Sequence, residues 1–96
     1  MFGIQEKSFK IIKEILERNI NIEKKVIFGS RATGKQRISS DIDIAIYGKN
    51  INFNDISRIL GEIDESDIVY KVDIVHYESL NNEKLKENIN KEGVEF

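Results

Sequence analysis

The fold is decided by residues 28–47, which read FGSRATGKQRISSDIDIAIY. Over residues 41–47 apolar and polar side chains alternate strictly, which predicts a strand with its three isoleucines on one buried face. Asp41 and Asp43 then share the opposite face, with Cα atoms roughly 6.6 Å apart at about 3.3 Å of rise per residue. Neighbouring carboxylates repel each other, and a hard divalent cation with oxygen ligands turns that repulsion into coordination. This face is therefore predicted to be either a metal site or an ordinary solvated surface.

The residues before this strand add a second functional feature. Residues 26–28 form a short apolar run that ends at Gly29, which predicts a strand entering a tight turn, and residues 29–40 are predicted to be a loop. A glycine lets the backbone approach a phosphate, while the turn amides and the Ser30 hydroxyl point at its oxygens. Arg31 adds a planar guanidinium suited to phosphate oxygens. A phosphate-binding turn and a metal site on neighbouring strands are features that could act together on one phosphate-containing ligand.

The flanking sequence completes the predicted order α, β, β, α, β, α. An amphipathic helix is predicted over about residues 4–19, and a second helix, capped by Asn54 or Asp55, ends near residue 64. A strand is predicted over residues 68–77, with a bend at 70–71. A last helix is predicted over residues 82–91 and capped by Gly93, and the tail at 94–96 is predicted to lie on the sheet. This order indicates an α/β (α+β) fold, a small mixed β-sheet with helices packed on one face and the other face open for chemistry.

Length and composition exclude several classes of protein. We expect residues 1–96 to form one domain. The absence of cysteine excludes disulfides, thiolate metal sites and a thiol nucleophile. No apolar run approaches the roughly 18 residues that a membrane span requires, and the charged start is unlike a signal peptide. The net charge of −2 lacks the positive field that bulk nucleic-acid binding demands. We therefore expect a cytoplasmic protein with no membrane partner.

The motif Gly29, Ser30, ten residues, Asp41, Ile42, Asp43 resembles the signature of the DNA polymerase β-like nucleotidyltransferase superfamily. It is more closely similar to the minimal nucleotidyltransferase (MNT) family, whose members look like FGSRARG followed by SDIDLAI. Here residues 28–34 read FGSRATG and residues 40–46 read SDIDIAI. The resemblance extends over nearly the whole chain.

Two further positions bear on this resemblance. Asp73, between two apolar residues, is similar to the third carboxylate of the family, and the ending EGVEF at 92–96 is similar to the way such chains end. Thr33 departs from the arginine that the family often has, which removes a phosphate-facing charge that Lys35 or Arg37 would have to replace. Asp67 is an alternative third acid. His76 lies by parity on the face opposite Asp73 and is predicted to be structural rather than a metal ligand.

The resemblance implies a polymerase β-like core and nucleotidyl transfer from ATP with two Mg²⁺ ions. Asp41, Asp43 and Asp73 would be the metal ligands and catalytic acids, with Asp73 as the base that receives the proton of the attacking hydroxyl. The turn at residues 29–31 would bind the β- and γ-phosphates, so that pyrophosphate leaves in line.

The resemblance also implies a partner. MNT proteins resembling this one act as antitoxins that transfer AMP from ATP to a tyrosine of a HEPN ribonuclease toxin, which implies a HEPN toxin as the partner in a hetero-oligomer. One alternative is a non-catalytic antitoxin that neutralises the toxin by occlusion. Another is a small-molecule nucleotidyltransferase of the antibiotic-modifying kind, which would need a further domain or a homodimer to build its acceptor pocket.

Overall fold

A computed structural model describes residues 1–96 and contains four helices and four strands. The helices are α1 (Glu6–Glu17), α2 (Ser30–Thr33), α3 (Phe53–Asp64) and α4 (Glu83–Glu92). The strands are β1 (Lys24–Phe28), β2 (Ile42–Tyr47), β3 (Val72–His76) and β4 (Val94–Glu95), and a 3-10 turn (Tyr77–Ser79) follows β3. The predicted fold class and element order are confirmed. The structure adds two short elements, the single-turn helix α2 inside the predicted loop and the 3-10 turn after β3.

The four strands form one mixed sheet in the order β3-β2-β1-β4. β1 runs antiparallel to β2 and to β4, whereas β2 and β3 run parallel. The register pairs Phe28 with Asp43 and Asp43 with Asp73, so these three residues form a row across the sheet. Residues opposite one another in a sheet project from the same face, and the register therefore brings two acids together.

The main core lies between α1, α3 and one face of the sheet. The alternation in β2 places all three of its isoleucines on this face, where they are fully buried. Burying one such side chain contributes about 1.5–3 kcal/mol of hydrophobic stabilisation. The buried side chains at the centre of this core are Ile12, Ile15, Leu16, Ile27, Ile42, Ile44, Ile46, Ile59 and Ile63.

α4 packs against the opposite face of the sheet. Ile89 of α4 is buried with Val26 and Ala45, which form a second, smaller core. The expectation that every helix packs on one face holds for α1 and α3, and α4 departs from it. The second face is consequently covered at the level of Ala45 and accessible at the end that carries the acids.

Gly93 allows the chain to return from α4 to the sheet. It is the C-cap of α4, as predicted, but its φ is −66° and not left-handed. A Cβ at this position would lie 2.5 Å from the Ile89 carbonyl oxygen and 2.5 Å from Val26 Cγ1. Because this glycine lets the backbone pass so close, β4 reaches β1 and pairs with it as the predicted tail on the sheet.

α3 begins earlier than the sequence predicts. Its cap is Asn52, whose side chain accepts a hydrogen bond from the Asp55 N–H while the Asp55 carboxylate accepts one from the Asn52 N–H. This reciprocal capping box satisfies two of the free N–H groups at the helix start. The backbone hydrogen bond from Asn52, with a smaller contribution from the Asn21 side chain, lowers the pKa of Asp55. Asp55 is thus the third residue of the helix and not its cap.

The third strand is shorter than predicted. It begins at Val72 rather than 68, although the predicted bend is present at Tyr70. None of the helices combines the length and the apolar character needed to span a membrane.

Candidate active site

The three predicted acids lie on one face of the sheet, at the ends where β2 and β3 begin. Asp41 is exposed just before β2, Asp43 is half-buried within it, and Asp73 is exposed in β3. Asp43 and Asp73 are register partners on adjacent strands, which lie about 4.8 Å apart in a sheet. The structure thus brings the three predicted acids into one cluster.

The charges of this cluster act on one another. Burial raises the pKa of Asp43 above its ordinary value, and the negative charges of Asp73 and Asp41 raise it further. The positive charge of Lys71 partly opposes this rise. Burial first, and then the like charges of Asp73 and Asp41, therefore disfavour the ionised form of the Asp43 carboxylate.

These acids fit a divalent cation without forming a finished site for one. No three acidic side chains in the chain are already arranged around a common metal position. The donor set nevertheless consists of carboxylate oxygens, the ligands that Mg²⁺ prefers. The repulsion from Asp73 and Asp41, which adds to the effect of burial on the pKa of Asp43, is the interaction that a bound cation would relieve. The cluster therefore fits a hard divalent ion, and the number of ions stays a prediction.

Gly29 lies directly against Asp43. Its φ of +77° belongs to the left-handed region that favours glycine, and a Cβ would stand 2.7 Å from Asp43 Oδ2. The Gly29 carbonyl accepts hydrogen bonds from the N–H groups of Ala32 and Thr33 in α2. The two earlier N–H groups of α2, those of the half-buried Ser30 and of Arg31, have no acceptor within the helix. The turn and the acid are thus immediate neighbours, as the sequence predicts.

The structure contradicts the prediction that the Arg31 side chain faces the phosphates. Arg31 is 2% exposed, and its guanidinium donates to the backbone carbonyls of Ser40 and Phe2 while it lies over the ring of Tyr70. A guanidinium committed to carbonyl acceptors inside the protein is unavailable to a triphosphate on the surface. The single positive charge of α2 therefore points away from the turn.

The loop after α2 carries two exposed cations. The Thr33 hydroxyl donates to the carbonyl oxygens of Gly29 and Ser30, which is the local back-bonding usual for threonine in helices. Lys35 and Arg37 are exposed, and neither forms an ion pair. Both remain free cations on the loop that leads into the acid-bearing strand.

The two weaker candidates lie outside the cluster. Asp67 is exposed in the bend after α3 and not on β3, which leaves Asp73 as the third acid. His76 projects away from Asp73, as parity predicts, with Nε2 2.7 Å from the Gly48 carbonyl oxygen and Nδ1 2.7 Å from Ser79 Oγ. These contacts give His76 a structural role at the end of β3.

Lys71 is a charged residue of the site that no sequence motif marks. It lies two residues before Asp73, so it projects from the same face, and its carbonyl accepts a 2.9 Å hydrogen bond from the Ile42 N–H. That bond belongs to the Ile42–Val72 pair, the first of the β2–β3 ladder, so Lys71 lies at the end of the sheet that carries the acids. The spacing of two from Asp73 was the signal available in the sequence.

Comparison with known proteins agrees with this geometry. The family described as "Polymerase beta, Nucleotidyltransferase" matches residues 10–96. The chain belongs to this nucleotidyltransferase family. The nucleotidyltransferase is also 33% identical over 79 residues to the Methanocaldococcus jannaschii protein named "Putative protein adenylyltransferase MJ1379", a match over 80% of this chain and 79% of that protein.

Solved structures give the same result. One similar chain comes from the crystal structure of a mutant toxin-antitoxin complex, MntA-HpeT, and superposes with a TM-score of 0.74. The two sequences are 28% identical, and the match covers 96% of this nucleotidyltransferase and 72% of that chain. A chain of a toxin-antitoxin crystal structure with AMP-PNP superposes with a TM-score of 0.72 at 24% identity over 92% and 70%, a likeness of fold. The resemblance to the MNT family and the polymerase β-like core are thereby confirmed.

Proposed function

We propose that this nucleotidyltransferase is a Mg²⁺-dependent protein adenylyltransferase that transfers AMP from ATP to a tyrosine of a HEPN toxin. The observation that carries the proposal is the row of Asp43 and Asp73 on adjacent parallel strands, with Gly29 directly against Asp43. A turn suited to phosphate, next to a cluster of acids suited to a divalent cation, supports this reaction.

Each part of the site has a role in this reaction. Asp41, Asp43 and Asp73 would hold Mg²⁺, which supplies Lewis-acid polarisation of the triphosphate and of the attacking hydroxyl. Ser30 and the free amides at the start of α2 would bind the terminal phosphates and orient the leaving group. The exposed Asp73 carboxylate would take the proton of the tyrosine hydroxyl while the tyrosine oxygen forms a bond to the α-phosphorus of ATP. The bond from that phosphorus to the bridging oxygen breaks, and pyrophosphate leaves with the electron pair.

The nature of the acceptor is supported by the relatives and by charge. The Methanocaldococcus relative is named for protein adenylylation, and the MntA-HpeT structure is a toxin-antitoxin complex. A net charge of −2 disfavours a nucleic-acid acceptor, because such binding depends on neutralising phosphates with basic side chains. A protein acceptor is compatible with an acidic nucleotidyltransferase.

A second candidate function is an antitoxin that occludes the toxin without catalysis. It is favoured by one observation, the absence of a cation on α2 that faces the triphosphate, since Arg31 is buried and residue 33 is threonine. A weakened triphosphate site would leave binding intact while it slows transfer.

Intact mass spectrometry of the toxin distinguishes the two functions. A HEPN toxin that forms a complex with this chain is incubated with the nucleotidyltransferase and ATP, with Mg²⁺ or with EDTA. We expect the toxin to gain one or more AMP masses only with Mg²⁺, and the gain to persist with Asp67→Asn and to disappear with Asp43→Asn. Neutralised toxin of unchanged mass would refute the adenylyltransferase and support occlusion.

A further inference from the structure

Arg31 is the one charged residue among the buried residues of the chain. It is 2% exposed, and no acidic side chain pairs with it. A charge is kept inside a protein only where its hydrogen-bonding groups are well satisfied. The contacts of this guanidinium therefore identify what it stabilises.

The guanidinium binds two separate backbone segments and one aromatic ring. Nε and Nη2 both donate to the Ser40 carbonyl oxygen, at 3.2 and 2.8 Å, and Nη1 donates to the Phe2 carbonyl oxygen at 3.0 Å. The guanidinium carbon lies 4.9 Å from the centre of the Tyr70 ring, within the range of a cation–π contact. The Tyr70 hydroxyl accepts a 3.1 Å hydrogen bond from the Gln5 N–H, which ties the ring to the same N-terminal segment.

These contacts lie at the entrances of both acid-bearing strands. Ser40 immediately precedes Asp41, and Tyr70 lies in the bend that leads to β3 and Asp73. Arg31 itself follows Ser30 in α2. One side chain thus joins the turn at residues 29–30 to the start of β2 and to the approach of β3.

We infer that Arg31 is a positioning residue, whose guanidinium fixes the phosphate-binding turn and the two acid-bearing strands relative to one another. This inference rests on the proposed function for its effect on turnover, and on the contacts alone for its effect on structure. Lysine cannot substitute, because an ammonium has no planar fork to bridge two carbonyl groups while stacking on a ring. A shift of about 1 Å among reacting groups is enough to slow a reaction about a hundredfold.

The test compares Arg31→Lys with Arg37→Lys, a matched change at an exposed arginine of the adjoining loop. Hydrogen–deuterium exchange followed by mass spectrometry reports on peptides that span residues 38–44 and 68–74. We expect both peptides to exchange faster in Arg31→Lys than in wild type while helix α4 keeps its protection, and we expect no change in Arg37→Lys.

Steady-state transfer of AMP to the toxin gives the second readout. We expect kcat of Arg31→Lys to fall roughly tenfold to a hundredfold, with KM for ATP within about threefold of wild type, since the change misaligns the acids without removing a phosphate contact. In Arg31→Ala, guanidinium ion at millimolar concentration should restore part of the rate and of the exchange protection, whereas methylammonium should restore neither.

The outcomes separate the possible explanations. Equal exchange in the two lysine variants overturns the inference, as does faster exchange throughout the chain in Arg31→Lys, which would mark a general stabilising role. A selective loss of kcat or selective guanidinium rescue supports it. If wild-type protein transfers no AMP while the two peptides still lose protection selectively, the proposed function fails and the positioning role stands.

Discussion

Replacing Asp43 with asparagine should stabilise the folded chain in the absence of metal. Asp43 is half-buried and faces Asp73 across the β2–β3 pair, with Asp41 beside it on the same face. Two unit charges about 5 Å apart repel by about 0.8 kcal/mol in a water-like dielectric, and by more where protein excludes water. Asparagine removes this repulsion at nearly constant shape. We expect Asp43→Asn to gain about 1 kcal/mol in EDTA at low ionic strength, a rise in Tm of about 4–8 °C for a domain of this size.

The pH dependence of this gain follows from the raised pKa of Asp43. Between the unfolded and the folded pKa the folded wild type holds more protons than the unfolded chain, so wild-type stability falls as pH rises through that window. The advantage of Asp43→Asn is therefore absent at low pH and complete above the raised pKa. Added salt should reduce it, because exposed charges are screened within about 10 Å at 0.1 M.

The assay is thermal melting in EDTA and in Mg²⁺, with Asp67→Asn as the control for loss of an acid outside the cluster. We expect Mg²⁺ to raise the Tm of wild type and of Asp67→Asn and to leave Asp43→Asn unchanged. If Asp43→Asn melts below wild type in EDTA, the acid is a stabilising structural group and the like-charge argument is wrong.

Three further changes test neighbouring features. Gly29→Ala should destabilise the chain by about 1–2 kcal/mol in urea melts and abolish transfer, because its φ of +77° is strained for alanine and the new Cβ meets the Asp43 carboxylate. Gly61→Ala, in open space within α3, should instead stabilise the chain by about 0.5–1 kcal/mol. A change in stability of the same sign in both variants would contradict this reasoning. Lys71→Met should raise the pKa of Asp43 further in an NMR titration, and an unchanged pKa would place the Lys71 ammonium too far away to act. Asp55→Asn should be less stable than wild type above pH 3.8, and this difference in stability should vanish as pH falls through the lowered pKa of Asp55. A difference that persists in acid would show that the charge of the carboxylate does not stabilise the helix start.

The sequence predicts β2 and its acids well because both signals are local. Strict alternation needs only a buried face and an exposed face, and the same alternation places Asp41 and Asp43 together. Asp73 was predicted from resemblance, and its pairing with Asp43 depends on the parallel register of two strands that are far apart in the chain.

The destination of the Arg31 side chain could not be predicted from its neighbours. Beside a Gly-Ser turn an arginine is an obvious phosphate ligand, and its actual partners are the carbonyls of Phe2 and Ser40 and the ring of Tyr70. Only the folded chain brings these groups to one place. The position of Arg31 next to the turn therefore marks it as part of the site but does not reveal that it binds backbone carbonyls instead of phosphate.

The side on which α4 packs was ambiguous for a related reason. The spacing of Leu85 and Ile89 predicts an apolar helix face without saying which sheet face receives it. Val26 and Ala45, apolar residues on the acid-bearing face, were the available signal, and together they form the surface that Ile89 covers. The start of α3 was likewise encoded in the Asn52 and Asp55 pair, whose spacing of three suits a capping box.

The role of Asp73 is tested most directly by measuring ATP affinity and turnover together in Asp73→Asn. Calorimetry gives the affinity for Mg²⁺ and ATP, and AMP transfer to the toxin gives the rate, both on protein shown to be folded by melting. We predict an affinity within a few-fold of wild type, held by Asp41, Asp43 and the turn at residues 29–30, and a rate lower by about 10² to 10⁴, as for loss of a general base. Normal turnover in Asp73→Asn would contradict the proposed site and show that Asp73 is not part of it.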